Sequence, residues 1–311
     1  MITLLRWTAL LLGVLVVALL ATEAALRIYA RYVSKRDYLF RFDAQTGWSN
    51  APNFRTTRIN AAGEEWSIRT DHNGQRLIAQ NPDARRKILI LGDSLSFGEG
   101  IEIKDRFDVR MLSSLPDARV INTGVSGYGT DQEYVAFRNW RHLLKSGDVV
   151  LIILNQSDYS DVLRHRYFGR AKPYFEKVDG AYVLRPPSGG LWERWSDWSR
   201  VASVVSRLVE PMAPERVDDP RQSIEIIRLI FGQIRKEVPR GVRIALAHQG
   251  TRDFLEPKLG LSSTIFCQFA DVCIDLDHVL AADPFHLLPD GHWSASGHAA
   301  VARVLLAALD D

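Results

Sequence analysis

Five short runs of this chain are apolar on both faces, and helical segments separate them. The runs are Lys87–Leu91 (KILIL), Arg119–Val125 (RVINTGV), Asp148–Leu154 (DVVLIIL), Val242–Ala247 (VRIALA) and Val272–Leu276 (VCIDL). Helical patterns cover 105–115, 130–145, 221–237 and 295–309, with Gly147 as a stop after the second. A strand that is apolar on both sides must be covered on both sides, which an antiparallel sheet with a wet face does not provide. The alternation therefore predicts a three-layer α/β/α domain around a parallel five-stranded sheet, of the flavodoxin-like kind. In such a sheet ligands bind beyond the carboxyl ends of the strands, so chemistry-bearing residues should follow strands directly.

The amino-terminal segment obeys a different rule. Residues 7–22, WTALLLGVLVVALLAT, carry no charge and no polar face. From Trp7 to Tyr29 a helix is long enough to cross a hydrocarbon core of about 30 Å. A cleaved signal peptide and an uncleaved anchor both fit. The anchor is preferred, because the apolar run passes into an amphipathic continuation (Ala25, Leu26, Ile28, Tyr29) without a clean small-x-small site. A buried soluble helix would need a polar face. Arg27, Arg31, Lys35 and Arg36 follow the span while only Arg6 precedes it, so flanking charge favours a cytoplasmic body.

The organisation that results is a membrane anchor over 1–30, a turn-rich lead-in over 31–85, and a catalytic-type domain over 86–311. The lead-in holds Gly47, Pro52, Gly63 and an Asn73-Gly74 hairpin signal, and short strands are expected there. Residues 159–220 interrupt the alternation with Pro173, Pro186, Pro187, Pro211, Pro214 and Pro220, and read as an insertion over the sheet edge or the site mouth. Within it Trp192, Trp195 and Trp198 recur every three residues. Packing of that aromatic face onto the body is preferred over contact with sugar or lipid. The formal charge of +2 gives no case for nucleic acid. The two cysteines, Cys267 and Cys273, are too few for a structural zinc site without histidines. They can pair in an oxidising compartment or stay reduced in the core. His278, His286, His292 and His298 lack a metal-ligand spacing, so neither metal nor organic cofactor is expected.

Residues with chemical capacity stand where the strand rule places them. The first run ends in Gly92-Asp93-Ser94. A serine there is either a nucleophile with a base nearby or part of a helix cap. The second ends in Asn122-Thr-Gly124-Val-Ser126-Gly127-Tyr-Gly129, whose glycines allow close approach of a substrate oxygen or simply make a turn. The third ends in Asn155-Gln156-Ser157-Asp158. Near the carboxyl terminus stands Asp290-Gly291-His292-Trp293-Ser294-Ala295-Ser296-Gly297-His298. Aspartate two residues before histidine can orient an imidazole. Asp283-Pro-Phe-His286 is a second such pair.

These blocks, in this order and at these places, resemble those of the GDSL, or SGNH, hydrolase family over roughly residues 86–310. The anchor and lead-in resemble its membrane-tethered bacterial branch. The resemblance implies Ser94 as nucleophile, His292 as general base and acid, and Asp290 as its orienting partner. It prefers His292 to His286, because DGHWSASGH directly before a helix matches the branch's ending, and it leaves His298 as a helix residue. It implies Gly127 as an oxyanion donor with Gly124 as the alternative. The third block departs, since Ser157 stands where the family carries an asparagine. Asn155, two residues earlier, substitutes only if the loop shifts. The implied activity is hydrolysis of an acyl ester on a cell-envelope glycan or lipid, on the outer side of the inner membrane and against the flanking charges. An O-acyltransferase using the same triad and a non-catalytic binding module are the competing readings.

Overall fold

The protein was described from a computed structural model covering residues 2–32, 39–167, 169–188, 194–195, 197–209 and 219–309. A helix over Ile2–Tyr32 leads the chain. Two hairpins follow, β1 (Phe40–Asp43) with β2 (Gly47–Asn50) and β3 (Arg55–Ile59) with β4 (Glu65–Arg69), both antiparallel. Then come β5 (Arg86–Leu91), β6 (Ala118–Asn122) and β7 (Val149–Leu154). The insertion contributes two small hairpins, β8 (Arg166–Tyr167) with β9 (Arg170–Ala171) and β10 (Tyr174–Val178) with β11 (Ala181–Arg185). Strands β12 (Arg243–His248) and β13 (Val272–Asp275) complete the set.

The five predicted strands form one parallel sheet in the order β13-β12-β7-β5-β6. Central β7 is buried at all six positions. Its alternate side chains serve two layers, as the period of two requires. Val150, Ile152 and Leu154 pack with Tyr134 and Phe137 and with Ile227, Ile230 and Phe231. These come from helices Thr130–Trp140 and Pro220–Glu237. Val149, Leu151 and Ile153 pack with Phe107 and Met111 and with Val301 and Leu305, from helices Phe107–Ser114 and Ala295–Leu309. Each such buried side chain contributes roughly 1.5–3 kcal/mol of transfer free energy. The three-layer α/β/α architecture is thus the one the strand pattern predicts.

The lead-in packs onto the body. Trp66 and Ile68 of β4 bury against Phe97, and Trp48 of β2 buries against Tyr128 with its indole N–H on the Ser126 carbonyl. Asn73-Gly74 forms a turn, Gly74 at φ +82°, closed by a Thr70–Arg76 bridge. Cys267 and Cys273 form a disulfide. The tryptophan expectation is corrected. Trp195 and Trp198 are 64% and 81% exposed and do not pack onto the body. Attachment runs instead through Asp197, whose carboxylate takes the Phe42 N–H and the Arg170 guanidinium. Trp192, Lys35, Arg36, Pro211 and Pro214 lie outside the described residues.

Candidate active site

β5 delivers Gly92-Asp93-Ser94 to the carboxyl edge of the sheet. Gly92 is dictated sterically, because a Cβ there would fall 2.0 Å from the Ser96 hydroxyl. Asp93, not Ser94, is the cap of the short helix Ser94–Phe97, accepting the Leu95 N–H at 3.0 Å. The turn closes at Gly98, φ +75°, and is braced from outside. Asn122 donates to the Ser96 carbonyl at 2.8 Å. Buried Arg76 donates to the Gly98 and Ile101 carbonyls at 2.9 and 3.1 Å. With capping assigned to Asp93, the Ser94 hydroxyl remains available to another partner.

That partner arrives from the far end of the chain. Leu288–His292 is a tight turn, with the Leu288 N–H on the His292 carbonyl and Gly291 at φ +88°. It sets His292 Nε2 3.0 Å from Ser94 Oγ, across 198 residues of sequence. His292 Nδ1 stands 3.1 Å from Asp290 Oδ2, close enough to pair electrostatically but not aligned as a hydrogen bond. Asp290 is 44% exposed, so its field at the imidazole is partly screened. His286 is occupied elsewhere, its Nδ1 3.0 Å from the Val279 carbonyl oxygen, while Asp283 accepts the Phe285 N–H. His298 is buried, takes the Phe107 N–H at 3.2 Å and stacks on the Phe107 ring. Burial and the nearby Arg106 hold it well below the usual histidine range.

The two questions left by the loops have geometric answers. Gly127, at φ +81°, lines the same cleft as Ser94 and His292. Gly124 lies against the Ser96–Phe97 backbone, where a Cβ would come within 2.5 Å of the Phe97 nitrogen. In the third loop the Ser157 N–H and hydroxyl both donate to Asn155 Oδ1 at 2.7 Å. That fixes the orientation of the amide, whose Nδ2 donates to Asp93 Oδ2 at 2.8 Å. An amide nitrogen carries two hydrogens, so one remains after Asp93 is served. Ser157 spends its single hydroxyl hydrogen on Asn155 and acts behind it.

Sequence reasoning missed what lies beneath. Asp93, Glu133 and Asp158 are buried together below Ser94, beside a buried Lys172–Asp131 pair at 2.7 Å. Burial pushes Asp93 up, and burial with neighbouring carboxylates pushes Glu133 and Asp158 well up. Asp158 still accepts the Asn155 backbone N–H at 2.8 Å, whereas Glu133 accepts no hydrogen bond among the described residues. The cleft, about 880 Å³, is also walled by residues from distant segments, among them Phe40, Arg58, Tyr167 and Gln249. Arg58 pairs with Glu99 at 3.1 Å, and Glu99 accepts the Ser126 hydroxyl at 2.8 Å. Only the position of Gln249, directly after β12, could have been read from the strand rule. His248 lies within 4.8 Å of the Cys267 and Cys273 sulfurs, which are joined to each other and so are not thiolate ligands.

No family model matches the chain, and no curated protein matches it. Solved structures do align with it. One is a member of the lipolytic protein G-D-S-L family from Veillonella parvula, at 12% identity and TM-score 0.38 over 71% of this chain and 97% of that one. An acetyl xylan esterase from Geobacillus stearothermophilus aligns at 16% identity and TM-score 0.42, over 73% of this chain and 95% of that one. A psychrotrophic esterase from a Pseudoalteromonas species, inhibited by monoethylphosphonate, aligns at 11% identity and TM-score 0.42, over 72% and 96%. At these scores the likenesses carry no weight in assigning chemistry. The chain is similar in structure to lipolytic G-D-S-L proteins and esterases, and the chemistry rests on its own residues.

Proposed function

We propose that this protein is a serine hydrolase of acyl esters, held at a membrane by its first helix. The observation that carries the reading is the 3.0 Å approach of His292 Nε2 to Ser94 Oγ at the mouth of the sheet. It is the geometry of a nucleophile and its base. His292 takes the hydroxyl proton as Ser94 Oγ bonds to the ester carbonyl carbon. The carbonyl oxygen becomes an oxyanion, met by the Ser94 and Gly127 N–H groups and the second hydrogen of Asn155 Nδ2. Collapse of the tetrahedral species breaks the bond to the alcohol, which leaves with the proton from His292. Water, deprotonated by His292, then attacks the acyl-enzyme and releases the acid. Asp290 stabilises the imidazolium by its charge at 3.1 Å. Polar groups on the cleft wall, including Arg58, Gln156 and Gln249, suit an ester on a hydroxyl-rich alcohol such as an acylated glycan.

The first helix carries nine apolar side chains between Leu10 and Leu20 that are 46–66% exposed. Leaving that surface in water is costly, and a bilayer removes the cost. A cleavable leader would also have no use for Glu23, whose carboxylate receives N–H groups of a later helix at Arg200 and Val201. The Cys267–Cys273 disulfide suits an oxidising compartment, which places the catalytic body outside the cytoplasm. The test of the activity is hydrolysis of p-nitrophenyl acetate and of an acetylated oligosaccharide. Wild type should release acetate, and Ser94→Ala and His292→Ala should each lose at least about 10³-fold in kcat. Turnover that survives in Ser94→Ala would refute the assignment. Transfer of the acetyl group to an added sugar, in place of free acetate, would make the protein the acyltransferase.

A further inference from the structure

The anchor and the insertion meet at one point. Glu23, on the helix Ile2–Tyr32, accepts the Ser199 hydroxyl at 2.9 Å, the Arg200 N–H at 2.7 Å and the Val201 N–H at 3.0 Å. These are orphan donors at the start of the helix Arg200–Val209. One turn later Arg27 pairs with Glu23 at 2.7 Å and donates to the Trp198 carbonyl at 2.6 Å. The helix Arg200–Val209 is therefore capped by a residue of the membrane segment. Glu23 follows Trp7 by 16 positions, which at 1.5 Å each is about 24 Å of helix. The capped helix thus begins where the apolar span ends.

What stands at that level is apolar and uncovered. Trp195 and Trp198 are 64% and 81% exposed, and Val204, one turn into the helix, is 42% exposed. Two large indoles in water beside a span, at the end opposite Trp7, occupy the level at which Trp is enriched between headgroups and acyl chains. The other side of the segment is fastened to the body, since Asp197 holds the Phe42 N–H and Arg170, and the Arg194 guanidinium lies 5.3 Å from the Phe42 ring centre.

We propose that residues 194–209 lie in the headgroup layer of the membrane that the first helix spans, with Trp195 and Trp198 inserted and the helix Arg200–Val209 parallel to the surface. The inference rests on the reading of the first helix as an anchor. It makes the attachment two-pointed. The span resists extraction, while the interfacial segment fixes tilt and rotation of the body, clamped to β1 and β9, and so fixes the direction in which the catalytic cleft faces. The occupant is a lipid surface, because the patch continues directly from the span and no described residue covers it.

The experiment uses the full chain in lipid nanodiscs of phosphatidylethanolamine and phosphatidylglycerol, with single spin labels at Leu15→Cys, Thr57→Cys, Trp198→Cys and Val204→Cys. Collision with oxygen against a water-soluble nickel complex reports depth. Expected is a deep Leu15, an aqueous Thr57, and Trp198 and Val204 at headgroup depth. A deep Leu15 with Trp198 and Val204 as aqueous as Thr57 would overturn the interfacial segment and leave the anchor standing. An aqueous Leu15 would overturn the anchor, and the proposal with it. Glu23→Ala should loosen the Val204 label and raise it toward water while Leu15 stays deep. Unchanged depth and mobility at Val204 would contradict the capping role.

Discussion

Asn155 and Ser157 divide a task that family-type sites give to one residue. The amide is the donor facing the cleft, and the serine is the clamp that sets which way it faces. Asn155→Ala is expected to lower kcat by about 10²–10³-fold, the usual effect of one oxyanion donor, with KM nearly unchanged. Ser157→Ala should cost less, about tenfold, because the Ser157 backbone N–H still holds Asn155 Oδ1. Steady-state kinetics on an acyl ester checks both, and a larger loss for Ser157 would reverse the roles. Asp290 is half in water and poorly aligned. Asp290→Asn should therefore fall well short of the roughly 10⁴-fold loss of a buried triad aspartate. Ser94, His292 and Asp290 were legible because each stands in a short motif beside a strand end or before the last helix. The choice between Asn155 and Ser157 was not, since gapless alignment to a family pattern favours Ser157 and only the loop's own hydrogen bonds favour Asn155.

At the scale of elements, the ends of β5 and β7 and the first turn of the helix Thr130–Trp140 enclose a patch of carboxylates. Burial pushes Asp131 and Asp161 up to about 6, above the roughly 3.9 of an unfolded aspartate. The folded chain then binds protons more tightly than the unfolded chain between about pH 4 and 6. Their contribution to stability is full below about pH 4 and is lost as pH rises to about 6. Glu133, held well up by burial and by Asp158 and Asp93, extends the fall to higher pH. Glu133→Gln keeps the shape without the charge. It should flatten the decline between pH 5 and 8 and stabilise the protein at pH 8 by about 1 kcal/mol or more. Urea unfolding of the detergent-solubilised protein at both pH values tests this, and an unchanged slope would contradict it. The sheet and its main helices were legible from two-face apolar runs such as VVLIIL in β7. The buried acids were not, because Asp131, Glu133 and Asp158 sit in segments whose polar residues suit a solvated helix start or loop equally well.

Across the whole molecule, the lead-in and the insertion do what neither could do alone. Arg58 and Phe40 from the first, and Tyr167 from the second, wall a cleft whose reactive groups come from the sheet domain. Contacts of this range leave no periodic trace, so the sequence reading separated segments that the fold joins. The disulfide closes a loop of only six residues' separation, and a loop that short yields about 2 kcal/mol. Replacing both Cys267 and Cys273 by serine should lower unfolding stability by about that amount and leave kcat unchanged, since neither sulfur lines the cleft. Denaturant titration beside an activity assay checks this, and a loss of kcat in folded protein would show that the bond supports the site.

The central claim is that Ser94 is an activated nucleophile. Its most direct test is treatment of the purified protein with a fluorophosphonate, followed by mass spectrometry of the modified peptide. The account predicts one phosphonyl group per chain on Ser94, abolished in Ser94→Ala and slowed at least about 10²-fold in His292→Ala. Folded wild-type protein that takes no label, or takes it on a serine other than Ser94, would contradict it.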